Sequence, residues 1–136
     1  MAIKNNTVER DYTVTIRESS RDLTAKEKIA FRDFGNAVKL DENLTEDDSM
    51  LIAPKDFVII DVHNEKAKGN KDYVKYIIID EAGTKYVTGS DSFFSRFIEI
   101  FETMREDAPD EPYQIEVYKR PSKNYAGKSF ISCSLV

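Results

Sequence analysis

Cysteine occurs once, at Cys133, tryptophan is absent, and the 136 residues hold only five glycines and four prolines. A single thiol excludes an internal disulfide framework and makes a reducing compartment the natural setting. No apolar run approaches the roughly 20 residues that a membrane-spanning helix needs. The opening stretch MAIKNNTVERDYTV also lacks the apolar core of a secretory signal. The expected location is therefore cytoplasmic, with no membrane partner. Histidine, too, occurs only once, as His63. Asp61 lies two residues before it on the same face of a strand, but the further ligands of a metal site cannot be placed. Glycine-rich phosphate loops, Walker motifs and serine elbows are missing. No catalytic residue, metal or cofactor is expected, and a small nuclease centred on Asp61 and His63 is the weaker alternative.

What is present suits one domain of 136 residues, with 40% hydrophobic and 33% charged side chains. The net charge of −5 is unevenly spread. Acidic residues gather in 41–48 (DENLTEDD) and 102–111 (ETMREDAPDE), whereas 113–136 carries Lys119, Arg120, Lys123 and Lys128 against Glu116 alone. Such asymmetry allows a cationic face on an acidic protein.

Along the chain, Tyr12, Val14 and Ile16 alternate with polar residues as in a strand. In LTAKEKIAFRDFGNAVKL, Thr24 and Glu27 have capping-box spacing, and Ala30, Phe34, Ala37 and Val38 suit one helical face. A strand over 28–34 competes with that helix. The acidic stretch 41–50 reads as a solvated loop, and Pro54 closes an N-terminal extension, residues 1–54. FVIIDV (57–62), YVKYIIID (73–80) and KYVT (85–88) are rich in β-branched and aromatic residues and predict three consecutive strands. Ser90 or Ser92 then caps a helix presenting Phe93, Phe94, Phe97, Ile98, Phe101 and Met104 at three- and four-residue spacings, ending before Pro109. Two strands follow, with Ile115, Val117, Ile131, Cys133 and Leu135 facing inward; Tyr113 belongs to the same inward set. Cys133 is on this reading a small buried thiol.

From residue 55 to 136 the order is three strands, a helix and two strands. That is the order of the oligonucleotide/oligosaccharide-binding (OB) fold, and the expected class is mainly β: a five-stranded OB barrel with one helix between strands three and four. In that barrel the loops HNEKAKGNKD and KRPSKNYAGK would form two walls of a ligand groove. Single-strand binding needs cations for the backbone and exposed rings for the bases. The candidate phosphate contacts are Lys66, Lys68, Lys71, Lys75, Lys119, Arg120, Lys123 and Lys128. The candidate stacking rings are Tyr73, Tyr118 and Tyr125, followed by Tyr86 and Phe130. Each residue also has an ordinary structural reading, a solvated lysine or a packed tyrosine, and the basic-aromatic loop as a unit is the stronger signal.

Three strings, VHNEK (62–66), KYVTGSDSFFSRF (85–97) and KRPSKNYAGKSFISCS (119–134), resemble the small single-stranded DNA-binding proteins encoded by bacteriophages, particularly those of Gram-positive hosts. The resemblance covers most of residues 62–134. It implies an OB-fold that coats single-stranded DNA in phage replication or recombination, with proteins of those processes as further partners. One departure is plain: cellular single-strand binders end in a disordered acidic tail, whereas this chain ends in ISCSLV. An OB-fold protein-interaction module, such as an inhibitor that presents its acidic segments as a nucleic-acid mimic to a host enzyme, is the alternative. An exposed N-terminal strand offers an edge to a second copy, which leaves a homo-oligomer open.

Overall fold

The computed structural model describes residues 11–136, so the expectation about the opening stretch falls largely outside them. The chain forms β1 (Tyr12–Ser19), α1 (Ala25–Arg32), β2 (Val38–Lys39), α2 (Leu40–Asn43), β3 (Ser49–Ile52), β4 (Pro54–Asn64), β5 (Asp72–Asp80), β6 (Lys85–Thr88), α3 (Asp91–Asp107), β7 (Ile115–Pro121) and β8 (Ser129–Leu135). The larger sheet has the order β1-β4-β5-β6-β2 and the smaller one β3-β7-β8.

Burial explains the apolar run of β4. Phe57, Val58, Ile59 and Ile60 are all buried because the larger sheet is covered on both faces. Phe57, Ile59 and Ile78 pack with Phe93, Phe94, Phe97 and Phe101 of α3. Val58, Ile60, Val62 and Ile77 face the other way, toward Phe31 of α1. A strand buried on both sides loses its polar alternation and reads as a continuous hydrophobic stretch. The phenylalanine face of α3 also packs on Ile115, Val117, Ile131 and Cys133 of the smaller sheet, so the helix is wedged between the two sheets.

The expected five-stranded barrel is not formed; the architecture is mixed α/β with two separate sheets. Two features prevent closure. The outer edge of β6 is taken by β2, in parallel register Val38 to Tyr86. On the β8 side, α3 packs along the strand, Ser92 donates to the Ile131 carbonyl at 3.3 Å, and Ile131 and Cys133 are buried. Of the two strands that would meet in a barrel, β6 is thus paired with β2, and β8 ends its sheet with α3 packed on its buried face. Ala53 alone separates β3 from β4, so one run of chain passes directly from the smaller sheet to the larger.

The N-terminal part holds more structure than expected. Thr24 does form the capping box with Glu27, which starts a helix rather than the competing strand. That helix ends at Arg32, however, and buries Phe31, while Ala30 is exposed; Phe34 and Ala37 lie in the turn beyond it. The acidic stretch contains α2 and the start of β3, and Asp41 accepts a 2.8 Å hydrogen bond from the buried Thr88 hydroxyl. Ser90 caps α3 by accepting from the Phe93 amide at 3.1 Å. Tyr113 precedes β7 instead of belonging to it, and packs half-buried against the α3 cluster. Burial pushes the Cys133 thiol up to about 11, which keeps it protonated and unreactive near neutral pH.

Candidate nucleic-acid interface

The thirteen residues singled out in the sequence fall into three groups. The first is the arm. β7 and β8 pair from Ile115–Leu135 to Pro121–Ser129, and the tip is closed by Ser122 N–H to Lys128 O at 2.8 Å and Lys128 N–H to Tyr125 O at 3.1 Å. Gly127 sits at φ 77°, a left-handed conformation that strains a side-chain-bearing residue. Pro121 ends β7 beyond the stretch paired with β3, so its missing N–H costs that ladder nothing.

Alternation along the hairpin sorts its side chains. Ile115, Val117 and Lys119 share the inward row with Ile131 and Cys133; Glu116, Tyr118 and Arg120 face out with Phe130, Ser132 and Ser134. Arg120, Lys123, Tyr125, Lys128 and Phe130 line an open groove of about 1040 Å³, together with Ser92 at the start of α3. Tyr125 and Phe130 are 67% and 42% exposed, so both rings are open to solvent beside these cations. Among the described residues, Arg120, Lys123 and Lys128 form no ion pair with a carboxylate. Lys119 is different: its ammonium donates to the Asp41 carbonyl at 3.0 Å.

The second group is the β4–β5 loop, where the cations are largely neutralised. Lys71 pairs with Glu65 at 2.8 Å and Lys66 with Asp11 at 3.3 Å; Lys68 is exposed. His63 bridges the loop, Nδ1 to Asp72 at 2.7 Å and Nε2 to Glu65 at 2.8 Å. Only the imidazolium can donate from both nitrogens, and the hydrogen bonds to Asp72 and then Glu65 raise its pKa above the ordinary value. Glu65 is held low, first by Lys71 and then by His63. Asp61 is paired with Arg17, so the Asp61–His63 pair of the nuclease alternative is engaged elsewhere on both sides.

This clasp has a readable pH dependence. Because the folded-state pKa of His63 is raised, its stabilisation is complete below the unfolded value of about 6.5 and is lost as pH climbs through the folded value. In a proton NMR titration the lone imidazole should titrate above 6.5, and Asp72→Asn should bring it down. A midpoint at or below 6.5 in the unmodified protein would show that the clasp is not formed in solution.

The third group lies in the larger sheet. Tyr73 packs half-buried against the α1-side cluster, with the Lys75 ammonium 5.8 Å from its ring centroid. Tyr86 is also half-buried and donates to Asp80 at 3.0 Å.

The groove of the arm takes none of its lining from the β4–β5 loop. The register sets the arm's tip beyond Ser49, at the start of the β3–β4 run, and the other basic loop beyond Asn64, at its end. No hydrogen bond or ion pair among the described residues joins the two loops. The β7–β8 arm brings three cations without a carboxylate partner among the described residues together with two exposed rings in one groove. Pro121, Ser122, Asn124 and Ser129 also line the groove, and Ser92 is its one lining residue from outside the arm; sequence reasoning missed Ser92 because a serine at a helix start signals only a cap.

The fold and this groove define a two-sheet α/β domain with one cationic, aromatic-lined surface. Compared with protein-family models, with curated proteins and with solved structures, the chain matched none. Among the described residues no group of three or more His, Cys, Asp or Glu is arranged to hold a metal ion, and no helix is long and apolar enough to cross a membrane.

Proposed function

We propose that this protein binds single-stranded DNA without reading its sequence, using the β7–β8 arm. The observation that carries the reading is the groove in which Arg120, Lys123 and Lys128, free of carboxylate partners among the described residues, surround the exposed rings of Tyr125 and Phe130. Sequence-tolerant binding of a single strand needs these two kinds of group: cations that follow the backbone and π-faces that accept any base. Duplex DNA keeps its bases stacked inside and cannot use the rings. The resemblance of residues 62–134 to phage single-strand binders supports the same reading. On this reading the protein acts in phage replication or recombination in the host cytoplasm, beside proteins of those processes, without an enzymatic activity or cofactor of its own.

Fluorescence anisotropy with labelled oligo-dT, oligo-dA and duplex DNA, at two salt concentrations and with or without magnesium, tests this. Both single strands should bind in preference to the duplex, with affinity falling as salt rises. Failure to bind either strand below high micromolar protein at low salt would overturn the reading and favour a protein partner for the acidic surface. Magnesium-dependent cleavage would redirect attention to Asp61 and His63.

A further inference from the structure

Tyr118 is the obvious base platform on the outer row of β7, but its surroundings give it another task. Its hydroxyl is hydrogen-bonded to the Ser134 hydroxyl at 2.9 Å, across the hairpin. The Arg120 guanidinium carbon lies 4.2 Å from the centroid of its ring. That separation is van der Waals contact, well inside the roughly 6 Å limit of a cation–π pair. The ring is thus anchored at one end and covered on a face by the residue two positions along. Arg120 itself is exposed, forms no ion pair among the described residues and lines the groove with Phe130, its cross-strand partner.

From this geometry we infer that the Arg120 guanidinium is the stacking surface of this row, with Tyr118 and Ser134 as positioning residues behind it. The inference rests on the single-strand reading of the arm and specifies what the site takes there: an unpaired nucleobase on the outward face of the guanidinium. A guanidinium is planar and can stack as a ring does, while its edge N–H groups stay available to phosphate. Held against Tyr118, it gives up less rotamer freedom on binding than an unsupported arginine. The layers run Tyr118, Arg120, base. Tyr118 acts through Arg120, and lysine cannot replace Arg120 because an ammonium has no face.

Two measurements test this separately. In the free protein, the ring current of Tyr118 should shift the Arg120 side-chain protons upfield in NMR, and Tyr118→Leu should abolish the shift. Unshifted protons in the unmodified protein would overturn the positioning role whether or not DNA binds. In anisotropy titrations, Arg120→Lys should weaken oligo-dT binding about tenfold, as loss of one stacked base does. On an abasic strand of equal length the same change should cost no more than about twofold, because the charge is kept. Tyr118→Leu should cost about as much as Arg120→Lys, and the double variant little more than either, since coupled residues are non-additive. Fully additive losses would show that Tyr118 stacks a base itself. Equal losses on normal and abasic strands would reduce Arg120 to a phosphate contact. Absence of any binding by the unmodified protein would remove the single-strand reading, and this base site with it, while leaving the ring-current result to stand on its own.

Discussion

Phe97→Ala should lower the unfolding free energy by about 3–5 kcal/mol, the range for removing a buried aromatic ring. The ring is fully buried and sits at the centre of the wedge that α3 makes between the sheets. It meets Phe57 of β4 edge-on, at 6.3 Å between centroids, and touches Phe93, Phe94 and Phe101 of its own helix at 5.9, 5.8 and 5.5 Å. Its neighbours are themselves held by further contacts, among them Phe57 against Phe101 and Tyr76 stacked on Phe94. The cavity therefore has little freedom to collapse, which places the cost toward the upper part of the range. Domains of this size are stable by about 5–15 kcal/mol, so one substitution removes a large share. Urea unfolding followed by far-ultraviolet circular dichroism measures the effect; the midpoint should fall while the slope stays the same. A loss below about 1 kcal/mol would mean that the rings repack and that α3 is less tightly wedged than its contacts indicate. Oligonucleotide affinity measured well below the unfolding transition should change little, because Phe97 does not line the groove.

The same helix separates what the sequence reveals from what it conceals. FVIIDV, YVKYIIID and the phenylalanine spacing of 93–104 announce β4, β5 and α3, because burial imposes a period on side chains. The element order from β4 to β8 follows. Closure does not, since periodicity tells which faces are buried and says nothing about which edge meets which. The competitor for the β6 edge is the two-residue β2, too short to leave a pattern in the sequence. The cover on β8 is α3 itself, whose apolar face suits a barrel plug and a wedge between sheets equally well. Charge has the same limit. Lys66 and Lys71 look as available as Lys123 and Lys128 when counted along the chain. Folding pairs the first two with Asp11 and Glu65, and leaves the second two lining the groove. The arm was legible as a unit because a hairpin is local; which other loop faces it is a long-range matter that spacing along the chain does not encode.

Arg120→Ala, Lys123→Ala and Lys128→Ala combined should weaken single-strand binding about a thousandfold near 0.1 M salt and flatten its salt dependence. Each phosphate neutralised on a single strand contributes about −0.7 to the slope of log affinity against log salt. At 0.1 M that term corresponds to roughly fivefold in affinity per contact, so three charges multiply to about a hundredfold and the slope falls by about 2; loss of the base stacked on Arg120 contributes about tenfold more without changing the slope. The fold should survive. All three positions are exposed, none forms an ion pair with a carboxylate among the described residues, and the tip's two backbone hydrogen bonds do not use their side chains. The comparison that gives the result its meaning is Lys66→Ala with Lys71→Ala, which removes two cations from the β4–β5 loop. Those cations face Asp11 and Glu65, so the slope should move by less than about 0.5 and affinity by no more than about twofold. Equal effects from the two sets would mean that a strand spans both loops. An unchanged slope in the arm variant would place the phosphates elsewhere and leave Tyr125 and Phe130 without a backbone to align the bases they stack.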